Sequence, residues 1–285
     1  MWKDSYLIGN EKIDNQHKEL FRNAGILLNS LKDIDTPEHK QFFSNAINFL
    51  KNYVVTHFHD EETYAISVGY EDIKRHKELH DELTLDVLDY EQEFINTDFA
   101  PPVIERFLGF LSTWLVYHVA DEDQRIPKGI ITESGVDNAD QFLHEYANKA
   151  RQAITIVTGI SDHDISYELN SYNRFEPAAY FRVNIVGHPR LGVEFSFSNE
   201  FALGVFKSLT GIDQQEANDL TYSALSELCN IMGGKFAEIL TASGAGCSAD
   251  RAVQFFFGAN EKRIRRRISL SSKIGDMEVT IFVKA

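Results

Sequence analysis

Five histidines and two carboxylates within the first 123 residues are of the types that bind metal ions, and their spacing groups them. His57 and Glu61 are four residues apart, as are His76 and His80, so each pair projects from one face of a helix. His17 stands within Ile13-Asp-Asn-Gln-His17-Lys-Glu-Leu20. His118 is followed five residues later by Asp123, where the helix is expected to end so that the carboxylate can turn back. A lone histidine on a helix is ordinarily a surface or satisfied core residue. Seven such groups converging in one apolar interior would be costly unless they held something. Imidazoles and carboxylates without a thiolate suit iron better than a closed structural zinc site. Seven ligands exceed what one ion takes, so two ions follow. If Glu61 and Asp123 both bridge and a solvent-derived oxo or hydroxo group adds a third bridge, the five imidazoles divide three and two. One ion is then saturated and the other keeps one open position for a small molecule. Leu115, three residues before His118 on the same face, is expected to keep that position apolar.

A second set of residues lies on one predicted helix, Gln214–Thr241. Leu225, Leu228, Met232 and Phe236 form its apolar stripe, and Ser223, Glu227, Asn230 and Gly234 share the opposite face. By spacing alone, Glu-x2-Asn is an ordinary solvated face. Its chemical capacity is that an amide can orient water without titrating, beside a carboxylate able to pair with a cation.

Helical periodicity places the first set on four helices: Asp14–Lys32, Pro37 to about Val68, about Asp72–Phe94, and Pro101 to about Ala120. Short connections predict antiparallel neighbours, hence an all-α four-helix up-down bundle. Pro127–Gly135 reads as a hinge, and Asp123 lies only a few residues before it. Beyond it come a helix at Asn138–Thr158 and strand-like runs at Tyr180–Val186 and Leu191–Phe197 around a hairpin at Gly187–Arg190. Helices at Asn199–Thr210 and Gln214–Thr241 follow, then strand-like runs at Ala252–Gly258, Arg263–Ser271 and Met277–Val283. This order predicts an α+β domain with helices on a mostly antiparallel sheet. The basic run Lys262–Arg267 reads as an exposed strand edge.

The 285 residues are about twice a usual domain, and the charge divides with them. Residues 1–150 carry a net −14 and the remainder −1, of a total of −15. An acidic first half would repel nucleic acid and anionic lipid, so neither is an expected partner. No apolar stretch is long enough for a membrane span, and Met1-Trp2-Lys3-Asp4 does not open like a signal peptide. Two cysteines, Cys229 and Cys247, suit a reducing cytoplasm.

Asp14-Asn-Gln-His17-Lys, His57-Phe-His-Asp-Glu61-Glu, Gly69-Tyr70, His76-Lys-Glu-Leu-His80 and Trp114-Leu-Val-Tyr-His118 with Asp123 resemble the bacterial hemerythrins, over about residues 1–127. The resemblance implies a domain at 1–130 holding two non-haem irons. In it His76, His80 and His118 bind the saturated iron, His17 and His57 the open one, and Glu61 and Asp123 bridge. O2 would be the ligand at the open iron, in a pocket that includes Leu115. Ala65 stands where methionine is frequent, while His39 and His59 match no ligand position.

Ser223-Ala-Leu-Ser-Glu227-Leu-Cys-Asn230-Ile-Met-Gly-Gly234-Lys, with Gly192-Val-Glu-Phe-Ser-Phe-Ser198 upstream, resembles the signature region of CheX-like chemotaxis phosphatases, over about 137–285. One departure is the absence of a proline about twenty residues after Asn230, the last being Pro189. The resemblance implies catalytic roles for Glu227 and Asn230, a phosphorylated CheY-like receiver carrying its own Mg2+ as partner, and a homodimer through this domain. Together the two resemblances imply a cytoplasmic oxygen or redox sensor that adjusts hydrolysis of a receiver's aspartyl phosphate. The alternative is a non-enzymatic O2-binding protein whose second domain only dimerises or docks a signalling partner.

Overall fold

The protein is described here as a computed structural model covering residues 2–33, 37–127, 139–171, 175–187, 191–254 and 263–283. The chain divides into two compact units, Met1–Thr132 and Glu133–Ala285. Most of the expected hinge, all of residues 188–190 and most of the run ending at Gly258 lie outside the described residues.

The first unit is built on four helices: α1 (Glu11–Asn29), α2 (Pro37–Ser67), α3 (Ile73–Asn96) and α4 (Pro101–Tyr117). The starts of α1 and α4 have local causes. The Asn10 side chain accepts hydrogen bonds from the amides of Lys12 and Ile13, which otherwise lack partners in the first turn of α1. Buried Asp14 accepts from Ile8 and Gly9, tying the N-terminal segment onto that turn. Pro101 stands at the first position of α4, where the missing amide costs nothing. The inward stripes of the four helices include Ile13, Leu20, Phe43, Ile47, Leu83, Val87, Ile104 and Phe107, all buried.

The ending of α4 departs from the sequence reading. The helix does not stop before Asp123; it widens into a π-helical turn, His118–Glu122, followed by a 3-10 turn, Asp123–Arg125. The Asp123 amide donates to the His118 carbonyl, an i→i+5 bond. That bond brings residue 123 over residue 118, the alignment an α-helix would give to residues 118 and 122.

The second unit contains α5 (Ala139–Thr158), β1 (Ile165–Leu169), β2 (Pro177–Gly187), β3 (Leu191–Ser198), α6 (Asn199–Thr210), α7 (Asp219–Ala242), β4 (Cys247–Ala249), β5 (Val253–Gln254), β6 (Arg263–Ser272) and β7 (Gly275–Val283). The strand order is β1-β6-β7-β3-β2-β4, with β5 also on β2, and every described pairing is antiparallel. Alternate residues of β2 and β3, among them Phe181, Val183, Val193, Phe195 and Phe197, turn into the core. Helix α7 lies close to β2 at Gly233, where a Cβ would sit 2.6 Å from a Val183 methyl. Phe142 and Tyr146 of α5 meet Phe236 edge-on at ring separations of 5.0 Å.

Helix α7 starts five residues later than expected, because Asn218 and Thr221 form a reciprocal cap that fixes the first turn there. Strands β1 and β4 were not expected from the sequence. The basic run is only partly an edge: β6 lies between β1 and β7, but β1 pairs with Ile268–Ser272 alone. Lys262 lies outside the described residues, and Arg267 approaches Glu278 of β7 at 3.7 Å.

Candidate functional site

The bundle brings all seven expected residues into one buried site. His17, His57, Glu61, His76, His80, His118 and Asp123 are each at most 3% exposed. Two groups have ligand atoms within 4.8 Å of one another: Glu61, His76, His80 and His118, and His17, His57 and Glu61. Glu61 therefore belongs to both.

The two carboxylates divide their oxygens in the same way. Glu61 Oε2 lies 3.3 Å from His76 Nε2 and 3.2 Å from His80 Nε2, while its Oε1 lies 3.3 Å from His17 Nε2. Asp123 Oδ1 lies 3.0 Å from His118 Nε2 and 3.5 Å from His76 Nε2, while its Oδ2 lies 3.2 Å from His17 Nε2. Each carboxylate thus spans the two groups of imidazoles. The Nε2 atoms of His80 and His118 also face one another at 3.1 Å.

These residues fit a metal by their own geometry. Both Asp123 oxygens, Glu61 Oε1 and His17 Nε2 are buried without an aligned hydrogen-bond partner, although Glu61 Oε1 and Asp123 Oδ2 lie 3.2–3.3 Å from His17 Nε2 and Asp123 Oδ1 lies 3.0 Å from His118 Nε2. Close but unaligned, they point at the space between them. Buried polar atoms left so are expensive, and a cation in that space satisfies them together.

The protonation pattern has the same cause. Burial works against the His17 imidazolium, but Asp123 and Glu61 outweigh it and push its pKa up to about 9. His118 is driven likewise to about 10, burial being overcome first by Asp123. Burial takes His57 down to about 4. Burial and Glu61 oppose the Asp123 carboxylate, yet His118 leads the groups that hold it at about 2. Without metal, protons on His17 and His118 supply the positive charge. Ligation requires neutral imidazole, so loading at pH 7 is expected to release about two protons from His17 and His118, besides any from a solvent-derived bridge. Apparent affinity should rise by up to about a hundredfold per pH unit below the His17 value, by about tenfold per unit between the His17 and His118 values, and flatten above both. Calorimetry in buffers of different ionisation enthalpy measures the release, and heat independent of buffer would contradict it.

Two orienting residues escaped the sequence reading. Gln16 Oε1 lies 3.2 Å from His57 Nδ1, and the Gln16 amide donates to Asp60 at 2.8 Å. Glu62 Oε1 lies 3.2 Å from His80 Nδ1, and its other oxygen accepts from Lys77. The His80 contact leads in holding the Glu62 pKa down at about 2. Such partners fix ring orientation and raise the basicity of the opposite nitrogen. Their only sequence signal is adjacency, Gln16 to His17 and Glu62 to Glu61. Glu62→Ala or Gln16→Ala is expected to weaken metal retention about 10- to 100-fold, read by chelator competition. Unchanged competition would remove these two residues from the support of the site. Aromatic faces complete the setting: Phe58 stacks on His80 at 3.7 Å and Trp114 on His118 at 4.2 Å.

Leu115 is buried, and with His57, His118, Phe58 and Trp114 it lines an apolar cavity of about 220 Å3. Ala65 is fully buried against Tyr70 and Ile126. His59 is exposed, and the side chain of His39 lies outside the described residues.

In the second unit Asn230 is half-buried, and both ends of its amide are held. Nδ2 donates to Glu227 Oε2 at 2.8 Å, and Oδ1 accepts the amide of Ala252. Glu227 is only 7% exposed, so this face of α7 is not the solvated surface that spacing alone suggested. Ser223 and Gly234 are also half-buried. Burial pushes the Cys229 thiol well up, leaving it inert. No described helix is long and apolar enough to cross a membrane.

A four-helix bundle whose core gathers histidines and carboxylates is a recurrent design for paired-metal proteins. Residues 8–126 match the family model for the hemerythrin HHE cation binding domain. Over 124 residues the chain is 32% identical to a bacteriohemerythrin of Clostridium acetobutylicum, covering 44% of this chain and 95% of that protein. It is 31% identical over 125 residues to a hemerythrin of Sipunculus nudus, covering 43% of this chain and 87% of that one. Through its first unit, the chain belongs to the hemerythrin family. Several solved structures are similar to about half of the chain. Chemotaxis protein CheX from Vibrio vulnificus is 15% identical with a TM-score of 0.43, covering 50% of this chain and 99% of that one. A chain of the CheX–CheY–BeF3–Mg2+ complex from Borrelia burgdorferi is 15% identical with a TM-score of 0.43, covering 50% and 98%.

Proposed function

We propose that the first unit is a di-iron, oxygen-responsive module and that the second hydrolyses the aspartyl phosphate of a receiver partner. The observation carrying the first half is the division of oxygens: Glu61 and Asp123 each turn one toward His17 and the other toward the remaining imidazoles. In this reading His76, His80 and His118 would hold one iron and His17 and His57 the other, with Glu61 and Asp123 shared between them. Iron bound there would supply reversible one-electron chemistry and one open position for a small ligand such as O2. The protein's own part is to keep the site buried, to fix its rings through Gln16 and Glu62, and to neutralise cationic charge with two carboxylates.

The second half rests on Asn230. One of its two N–H groups and one of its two acceptor lone pairs are engaged by Glu227 and Ala252, so one of each remains for a water molecule. A receiver's aspartyl phosphate is already activated by its own Mg2+, and what remains is to place water in line. The water oxygen then bonds to phosphorus, the bond to the aspartyl oxygen breaks, and inorganic phosphate leaves a free carboxylate. Asn230 orients that water. Glu227, buried behind it, is a positioning residue. The partner is a CheY-like receiver in the cytoplasm, and the working state is a homodimer through the second unit.

The test is phosphate release from a phosphorylated receiver by the iron-loaded full chain, in air and under anaerobic reducing conditions. Release is expected in both, with rates differing about fivefold, at the lower end of allosteric coupling. No release in either atmosphere would leave the second unit a docking module. Release at one unchanging rate would make the iron site a passive companion.

A further inference from the structure

The cavity beside the metal centre is larger than a diatomic ligand needs. It occupies about 220 Å3, whereas one water molecule takes roughly 30 Å3 in the liquid. Side chains from all four helices line it, including Leu20 and Leu27 of α1, Leu50 and Val54 of α2, Leu83 of α3 and Leu111 of α4. No Asp, Glu, Lys or Arg is among the described lining residues, whose polar members are Asn23, Asn45, His57 and His118. Asn45 is exposed and Asn23 half-buried, on the side nearer solvent, while the buried His57 and His118 form the floor. Around the exposed end Ile26, Phe42 and Phe49 are 36–42% exposed.

Protein interiors are ordinarily close-packed, and a void of this size leaves its walls without contacts. Water is a poor occupant, because a buried water needs two to four polar partners and most of the lining residues are apolar. An apolar cavity of about 150 Å3 lined by Leu, Ile and Phe accepts benzene. The rings of Phe58 and Trp114 at the floor and of Phe42 and Phe49 near the exposed end offer faces and edges to an aromatic guest.

We infer that this cavity is a binding site for an uncharged apolar molecule of single-ring size, seated against His57 and His118. Its floor is formed by residues of the metal site, so occupancy narrows the approach to the centre from this side. An apolar effector could act there in addition to O2. The inference rests on the shape and lining of the bundle and not on which residues hold iron.

Toluene is the probe, titrated by calorimetry into the iron-loaded full chain up to its aqueous solubility. Saturable binding of one toluene per chain is expected, in the millimolar range or tighter. Trp114 emission should shift with the same midpoint in a Trp2→Phe background. Ala24→Leu and Ala46→Phe each fill the cavity from a different helix and should weaken toluene at least tenfold, with iron content and circular dichroism unchanged. Two variants guard against one failing to fold. Absence of saturable binding to the wild-type chain would overturn the inference, as would wild-type affinity in both folded variants.

Discussion

His118→Ala is expected to lower bound iron from about two ions per chain to well below that, with the loss evident in metal analysis of the purified protein. The His118 ring is buried against Trp114, with Nε2 3.0 Å from Asp123 Oδ1 and 3.1 Å from His80 Nε2. No spare described imidazole stands behind it, since His59 is exposed on the outside of α2. Truncation removes a ligand and also the main group that keeps Asp123 ionised. The metal-free variant therefore buries carboxylates with less compensation, and breaking such an arrangement costs about 3–5 kcal/mol. A lower melting temperature should accompany the iron loss, whereas His59→Ala should alter neither. Full di-iron loading of His118→Ala would remove His118 from the ligand set.

Asn230→Ala is expected to cut phosphate release from a receiver by about 100-fold or more, the scale on which losing one positioned polar group acts. The packing around Asn230 adds a stability effect that helix-face reasoning does not foresee. Truncation deprives buried Glu227 of a donor and the Ala252 amide of its acceptor, at a cost of about 1–3 kcal/mol. Rates must accordingly be compared well below the variant's melting temperature, with iron content as the control, since the first unit should load normally. Glu227→Gln keeps an acceptor beside Asn230 and should lose less activity than Asn230→Ala. Wild-type release by a folded Asn230→Ala variant would exclude the catalytic role.

Local chemistry in the sequence determined much of this protein. The four-residue spacings of His57 with Glu61 and of His76 with His80 work because a helix repeats every 3.6 residues, so each pair shares a face wherever the helix is placed. The span Asn199–Thr210 was legible to the residue, since Ser198 caps its start and Gly211, at φ 74°, closes its end. Alternating residues such as Phe181, Val183 and Ile185 marked a strand with one buried face.

Tertiary structure decided the rest. Whether α4 ends or widens before Asp123 depends on an i→i+5 hydrogen bond that no residue pattern announces; the observed π-turn aims the carboxylate at His17 and His118 together. Gln16 and Glu62 became ring-orienting groups only when α1 met α2 and α2 met α3, because their contacts span 41 and 18 residues of sequence. Glu227 and Asn230 repeat on one helix face whether that face is wet or dry; Ala252, 22 residues on, supplies the hydrogen bond that holds the Asn230 amide. Strands β1 and β4 are too short to carry a periodic signal and exist through their pairing with β6 and β2. The cavity likewise has no signature in one dimension, for it is the space that side chains from four helices leave unfilled. Periodicity and capping act within a turn or two of chain, while these features depend on which distant surfaces come together.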